Sequence, residues 1–286
     1  MGAPLDENRD SGRIRDADGQ QAAIRWQAEH FPQVAVSLGL RDSDFLPLTD
    51  AWRHDGTMVE CLLDYQNRFA AGMDDRVRGA HLISFYSHHL SIAAAAVYLR
   101  TGLIPDLRPD RLAMRFEPFV QDGLVSSETG PSDARRLHFR FGRSLHRHDR
   151  ASLLHDVFVE GFMPVIGVLQ ARTSLSPVAQ WRLVADGIAG AFLEVGAALD
   201  EEERAMTAAL AIINRTGSPF FSEAARYTKI SAVCKGVPTE RNFRLRGGCC
   251  LYYRTEGGDF CDVCVLLDGQ TQKDRLRAHV ERTGGL

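Results

Sequence analysis

Residues 249–264 read CCLYYRTEGGDFCDVC and hold four of the chain's six cysteines, Cys249, Cys250, Cys261 and Cys264. The spacing is C-C-x10-C-x2-C. A C-x2-C pair brings its two sulfurs within reach of one metal or one cluster edge, because a tight turn folds position i+3 back over position i. An adjacent pair behaves differently. On extended backbone, successive side chains point to opposite faces, so Cys249 and Cys250 serve one centre only if the chain bends around it. Gly247 and Gly248 before the pair, and Gly257 and Gly258 in the intervening loop, supply that freedom. Three chemistries accept four clustered thiols: disulfides, structural zinc and an iron-sulfur cluster. Zinc ribbons use two C-x2–4-C knuckles and avoid an adjacent pair. The spacing also matches neither the bacterial nor the plant-type ferredoxin pattern. The ligand count therefore says metal, and the spacing leans towards iron and sulfide.

Outward from this stretch, compartment bears on the choice. The first twenty residues, MGAPLDENRDSGRIRDADGQ, are charged and lack an apolar run, which predicts a flexible tail over 1–20 and no secretory segment. No stretch offers about 18 uninterrupted apolar residues, the length a membrane span needs; LSIAAAAVYL at 90–99 is too short. The expectation is a cytoplasmic protein with no transmembrane segment, in which clustered cysteines are metal ligands or redox groups and disulfides are disfavoured. With 286 residues, a formal charge of -3 and a pI near 6.4, the chain has no bulk attraction for nucleic acid. It contains no P-loop and no G-x-G-x-x-G, so no bound nucleotide or flavin is indicated.

The pattern of the remaining chain is mainly helical. QQAAIRWQAEHF runs helically to Pro32. Thr57 and Glu60 form a capping-box pattern ahead of an apolar stretch running to Ala71. Asp74 or Asp75 caps a longer helix that stops at Gly102. Partial alternation at 112–120 and 137–142, around a turn signal at Gln121-Asp122-Gly123, predicts two or three strands. Asp149 caps the next helix, which Pro164 should kink or break. Ser176-Pro177 opens PVAQWRLVADGIAGAFLEVGAAL, and EEERAMTAALAIIN carries its acids in the first turn. From about 220 the chain is glycine-rich and β-like, before a charged helix near 272–282. The predicted class is α+β: a flexible tail (1–20), a helical substrate-binding body with inserted strands (21–230), and a compact C-terminal module (231–286).

RLRGGCCLYYRTEGGDFCDVC resembles the C-terminal signature of the FhuF-type ferric siderophore reductases, in its spacing, in a basic residue (Arg246) shortly before the pair, and in LYY after it. The resemblance covers about the last 50 residues; no motif of the body can be matched to it. It implies that Cys249, Cys250, Cys261 and Cys264 ligate a 2Fe-2S cluster. It also implies one-electron reduction of siderophore-bound Fe(III) with release of Fe(II), using electrons from a separate ferredoxin-like donor. Hydroxamate and catecholate oxygens are hard ligands suited to ferric iron, so reduction weakens the chelate and no catalytic residue beyond the cluster is required. Two further readings are an iron-sulfur redox or iron sensor, disfavoured for DNA by the absence of a helix-turn-helix, and a siderophore-binding protein without turnover.

A cluster with four thiolates is anionic, so nearby cations favour its reduced state. Arg246, Arg244 and Arg254, with Lys235 and Arg241, lie near the cysteines in sequence and are candidates for tuning the cluster or meeting a partner; between 234 and 264 these five cations face Glu240, Glu256, Asp259 and Asp262, as on an ordinary solvated surface. Tyr252 and Tyr253 are candidates to shield the centre or stack on a chelate, although core packing is the commoner fate of such aromatics. Cys61 reads as a buried apolar residue, and Cys234 as a thiol surplus to the four ligands. His88-His89 and His146-Arg147-His148 make poor chelates. Arg143, Arg147 and Arg150 are basic candidates for an anionic chelate.

Overall fold

The computed structural model describes residues 7–39, 42–119, 134–142, 144–146 and 148–283, with side chains from residue 16 onwards. The chain divides into two compact units, residues 1–51 with 89–161 and residues 52–88 with 162–286. The cysteine segment belongs to the same unit as helices far earlier in the chain. The turn at Gln121-Asp122-Gly123 and the side chains of Arg143 and Arg147 lie outside the described residues.

The first unit contains a four-stranded sheet. Its elements are α1 (Glu7–His30), β1 (Val34–Leu38), β2 (Leu46–Pro47), α2 (Leu48–Ala51), β3 (Leu112–Pro118), β4 (Arg135–Phe141), and parts of α4 (Asp75–Thr101) and α5 (Arg150–Thr173). The strand order is β1-β4-β3-β2, with β1 parallel to β4 and the other pairs antiparallel. Alternation along the strands sorts the faces. Leu112, Met114, Phe116, Leu137, Phe139 and Phe141 are buried. The opposite face carries Arg115, Glu117, Arg136 and His138, with Glu117 accepting hydrogen bonds from both arginines. The segment read as a tail is helical from Glu7, because α1 is anchored further along: Ala23 and Ile24 are buried and Gln20 donates to the Gly142 carbonyl at 3.3 Å.

Several local expectations are met by the backbone. Asp74 accepts from the Val77 N–H at 2.9 Å and Asp149 from the Ser152 N–H at 3.0 Å, each capping its helix. Gly102 ends α4 at φ +71, with the Arg150 side chain crowding the place a Cβ would take. Two expectations are corrected, the second only in part: Pro164 does not break its helix. The helix α3 (Thr57–Gln66) starts one residue too early for a capping box: Gly56 is the N-cap, so the Thr57 hydroxyl does not cap the helix, which ends well before Ala71. Pro164 lies within α5 and does not interrupt it. By length and composition α4 and α5 would each suffice to cross a membrane; within the protein the apolar window of α4 is 72% buried and that of α5 is 44% buried.

The second unit holds α3, parts of α4 and α5, α6 (Pro177–Ala198), α7 (Glu202–Ile213), the antiparallel hairpin β5 (Arg226–Cys234) and β6 (Val237–Leu245), and α8 (Gly269–Thr283). Ser176 caps α6 by accepting from the Ala179 N–H at 3.3 Å, with Pro177 at the first helical position. The hairpin turns through Lys235 and Gly236, both at positive φ, as a two-residue turn requires. Leu276 and Val280 of α8 pack on Ile230 and Leu245, closing a small core that Phe243 and Val263 extend. Helices α4 and α6 approach closely where Gly187 leaves room for Ser87, since a Cβ at 187 would collide with the Ser87 hydroxyl.

Candidate metal centre

The cysteine segment is an irregular loop between β6 and α8, and three neighbours fix it. The central one is α6, where Asp186 interrupts an otherwise apolar run and is 1% exposed. Its carboxylate accepts from the N–H of Gly247 at 2.7 Å and of Gly248 at 3.1 Å, and pairs with Arg246 Nε at 3.4 Å. The Asp186 backbone carbonyl accepts from Arg244 Nη1 at 2.8 Å. A single buried residue thus holds the two glycines immediately ahead of Cys249. Gly248 lies tight against α6: a Cβ there would lie 3.0 Å from the Leu183 nitrogen, closer than nearly all ordinary contacts. The second neighbour is α8, whose Gln272 donates to the Cys264 carbonyl at 2.7 Å and Arg275 to the Phe260 carbonyl at 2.6 Å. The third is the turn between α3 and α4. There the Glu256 N–H donates to the Ala71 carbonyl at 3.0 Å, and Arg254 forms an ion pair with Asp74.

Within the loop, Leu251 takes φ +62 and its N–H donates to Cys249 Sγ at 3.4 Å, which bends the chain directly after the adjacent pair. A 3-10 turn over Tyr252–Arg254 follows, and the Thr255 hydroxyl donates to the Tyr252 carbonyl at 2.8 Å. Gly258 closes on this turn so tightly that a Cβ would overlap the Tyr252 carbonyl oxygen. We expect Gly258→Ala to cost about 1–3 kcal/mol, the usual range for overpacking, and to lower iron retention; urea titration and iron analysis of the same preparation measure both. At the far end, Cys264 N–H donates to the Cys261 carbonyl at 2.9 Å, forming the turn expected of C-x2-C, and Arg246 N–H donates to the Val263 carbonyl at 3.2 Å.

These constraints gather the four thiols. Those of Cys250 and Cys261 share a hydrogen bond. The hydrogen bond from Cys261 and the Arg246 charge hold Cys250 well below the ordinary thiol range, while Cys261, as the donor, is pushed up. Burial raises Cys249, and the neighbouring Cys264 and Cys250 add to the rise against the Leu251 N–H and Arg246. Arg246 lies against Cys250 and Cys261 and hydrogen-bonds to Cys261; although burial disfavours its charge, Asp186 and these two sulfurs raise its pKa. Arg244 is lowered by burial despite Asp186. The Asp186 carboxyl itself is raised by burial, which outweighs the two arginines and the two N–H donors.

The donor set, four thiols with an adjacent pair, fits an iron-sulfur cluster better than a structural zinc. Structural zinc uses two C-x2–4-C knuckles, which the adjacent pair Cys249-Cys250 does not supply. A further sign is the imidazole of His81 on α4, which stacks on Tyr252 with centroids 6.0 Å apart and lies in the field of Cys250. Its Nε2 is buried with no hydrogen-bond partner. A buried polar atom in that condition beside Cys250 suits a site completed by an inorganic acceptor such as sulfide.

The other sequence candidates separate cleanly. Arg244 and Arg246 lie at the cysteines. Arg254 is engaged by Asp74, Arg241 stacks on Phe243 and Lys235 occupies the exposed hairpin turn. Tyr252 and Tyr253 are 37% and 40% exposed, so neither is the core residue that β-enriched aromatics suggest; the 3-10 turn holds both at the surface. Cys61 is exposed, because the buried face of α3 is Val59, Leu62, Leu63 and Gln66. Cys234 is buried at the end of β5, its thiol donating to the Glu281 carbonyl at 3.3 Å. His88 pairs with Glu194 at 3.3 Å and His146 with Asp16 at 2.7 Å. Asp186 and His81 were absent from the sequence reading. A lone carboxylate within VADGIAGAF was a signal for the first, whereas nothing marked the second.

Comparison with known proteins agrees with this geometry. Residues 246–266 match the family described as the FhuF 2Fe-2S C-terminal domain, and none of the curated proteins matches the chain. The matched segment begins at Arg246 and spans all four clustered cysteines. The chain therefore carries a FhuF-type 2Fe-2S C-terminal domain, in a mixed α+β protein and with its cysteines clustered in the matched segment.

Proposed function

We propose that this protein is a cytoplasmic ferric siderophore reductase, with Cys249, Cys250, Cys261 and Cys264 as the ligands of its 2Fe-2S cluster. The observation that carries the reading is the placing of Cys250 and Cys261 against Arg246 inside a four-cysteine segment matching a 2Fe-2S domain. When bound, the cluster supplies electrons one at a time at a potential set by its charge and surroundings. The protein's own residues create those surroundings. Arg246 and Arg244 place two cations beside the sulfurs, and Asp186 offsets part of that charge while pinning the loop. Tyr252 and Tyr253, half exposed at the rim, offer aromatic surface to an incoming chelate. No general acid or nucleophile is needed, because Fe(II) leaves hard oxygen ligands by itself. Electrons come from a separate ferredoxin-like protein.

The test is a single turnover. Protein reduced anaerobically is mixed with ferric hydroxamate or catecholate chelates in the presence of a ferrous trap; trapped Fe(II) should appear as the cluster reoxidises. A loaded cluster that stays reduced with every chelate would shift the reading to a sensor or a binding protein. Arg246→Ala should lower the midpoint potential, since removing a cation disfavours the more negative reduced state. An unchanged midpoint in a redox titration would remove Arg246 from that role.

A further inference from the structure

We propose that Ser37, His138 and Glu117 form a hydrolytic triad on the polar face of the first unit's sheet, with carboxylic esters as its substrate class. The activity is independent of the cysteine centre, which lies in the other unit.

The three residues stand on three neighbouring strands. β1, β4 and β3 lie side by side, and the registers Ser37↔Arg140 and Arg115↔His138 put Ser37, His138 and Glu117 on one face. Ser37 Oγ and His138 Nε2 are 3.0 Å apart, and His138 Nδ1 and a Glu117 carboxylate oxygen 3.3 Å. Although burial opposes the charge on Glu117, hydrogen bonds from Arg136 and Arg115, each through Nε at 2.8 Å, hold its carboxyl below the ordinary range. An ionised carboxylate only accepts, so Nδ1 carries the imidazole proton and Nε2 is left to accept from the Ser37 hydroxyl. Nucleophile, base and orienting acid thus stand in the order that a triad requires, which is recognised by geometry and roles and not by sequence position.

The surroundings suit the roles. Phe45 meets the imidazole edge-on with centroids 4.7 Å apart and fixes the ring. Burial lowers the His138 pKa; Glu117 opposes this, while Arg115 and Arg136 add to it, and the ring is a neutral base near neutral pH. The charged groups facing it are Glu117 and Arg115 from β3 and Arg136 from β4, with Asp44 paired to Arg115 at 3.5 Å. Ser37 is half-buried on the edge strand, where a ligand can reach it. Arg140, its register partner, donates to the Leu38 and Gly39 carbonyls at 3.2 and 3.0 Å and pairs with Asp42, which keeps a cation beside the nucleophile for a developing oxyanion. The Gly39 N–H is already given to the Phe141 carbonyl, so no backbone donor from Gly39 assists, and the more reactive esters are the class served.

In the proposed reaction Ser37 Oγ attacks the ester carbonyl carbon as its proton passes to His138 Nε2. The bond to the alcohol oxygen then breaks, and the alcohol leaves with that proton. Water adds to the acyl-serine, giving a proton to His138, and the carboxylic acid departs as Ser37 regains it.

The test treats the whole chain with a fluorophosphonate, which phosphonylates an activated serine oxygen with loss of fluoride, and locates the adduct by peptide mass spectrometry, alongside hydrolysis of p-nitrophenyl acetate. An adduct at Ser37 is expected, with ester hydrolysis lost in Ser37→Ala and labelling slowed by about 10²–10⁴-fold in His138→Ala, the range a general base supplies. No adduct at Ser37 in the wild-type protein would overturn the proposal, whatever the variants do. So would an adduct whose rate His138→Ala leaves unchanged. Glu117 is a positioning residue and has its own readout. Labelling of the wild type should rise with pH through a midpoint below the ordinary histidine range, and Glu117→Gln, which removes the charge that raises His138, should move that midpoint lower still. A midpoint that Glu117→Gln does not move would remove Glu117 from the triad.

Discussion

Asp186→Ala should destabilise the protein by about 3–5 kcal/mol, the cost of breaking a buried ion pair by removing one partner. Arg246 would remain buried without its carboxylate, and the Gly247 and Gly248 N–H groups without an acceptor. That is a large share of a typical stability of about 5–15 kcal/mol. A urea titration checks it, and a midpoint close to that of the wild type would show that the loop holds itself. Asp186→Asn separates anchoring from charge. The amide oxygen still accepts from one glycine, while the negative charge is gone, so the midpoint potential should rise. A potential that does not move in a loaded Asp186→Asn protein would confine Asp186 to a structural role.

The second large effect concerns the thiols themselves. Alanine at Cys250 or at Cys261 should abolish the visible absorbance of the cluster and the reduction of ferric chelates, because a missing thiolate opens the metal to water and removes binding energy tied to folding of the loop. Alanine at Cys61 or Cys234 should leave iron content unchanged, since one thiol is exposed on α3 and the other is bonded to the Glu281 carbonyl. Iron and sulfide analysis of the four proteins decides the matter; equal losses in all four would mean that the cysteines act through general stability.

The ligand segment was legible in the sequence because its chemistry is local. An unusual cysteine spacing, flanking glycines and a basic residue before the pair are contained within about twenty positions. Helix ends were legible for the same reason where a side chain caps its own helix, as Asp74, Asp149 and Ser176 do. The capping box at Thr57 misled because Gly56 adopts the N-cap conformation one residue earlier. Pro164 does not break α5, because the buried Phe162, Val165 and Ile166 pack the helix on both sides of it.

What surrounds the ligands was not legible, because it is assembled across long separations. Asp186 reaches Gly247 over 61 residues, and Arg254 reaches Asp74 over 180. β1 pairs in parallel with β4 more than a hundred residues away, a partnership no local alternation announces. The sequence named Arg246, Arg244 and Arg254 as the leading cations near the cysteines without placing them. Strand geometry sorts them, since β6 delivers Arg244 and Arg246 to α6 and leaves Arg241 stacked on Phe243.

The central claim is that residues 246–266 house a 2Fe-2S electron-transfer centre held by four thiolates. Its most direct test is anaerobic purification of the whole chain, iron and acid-labile sulfide analysis, and an EPR spectrum after dithionite reduction. The account predicts iron and sulfide in equal amounts and a signal that appears on reduction and vanishes when a ferric siderophore is added. Zinc bound without sulfide, and no signal on reduction, would contradict it.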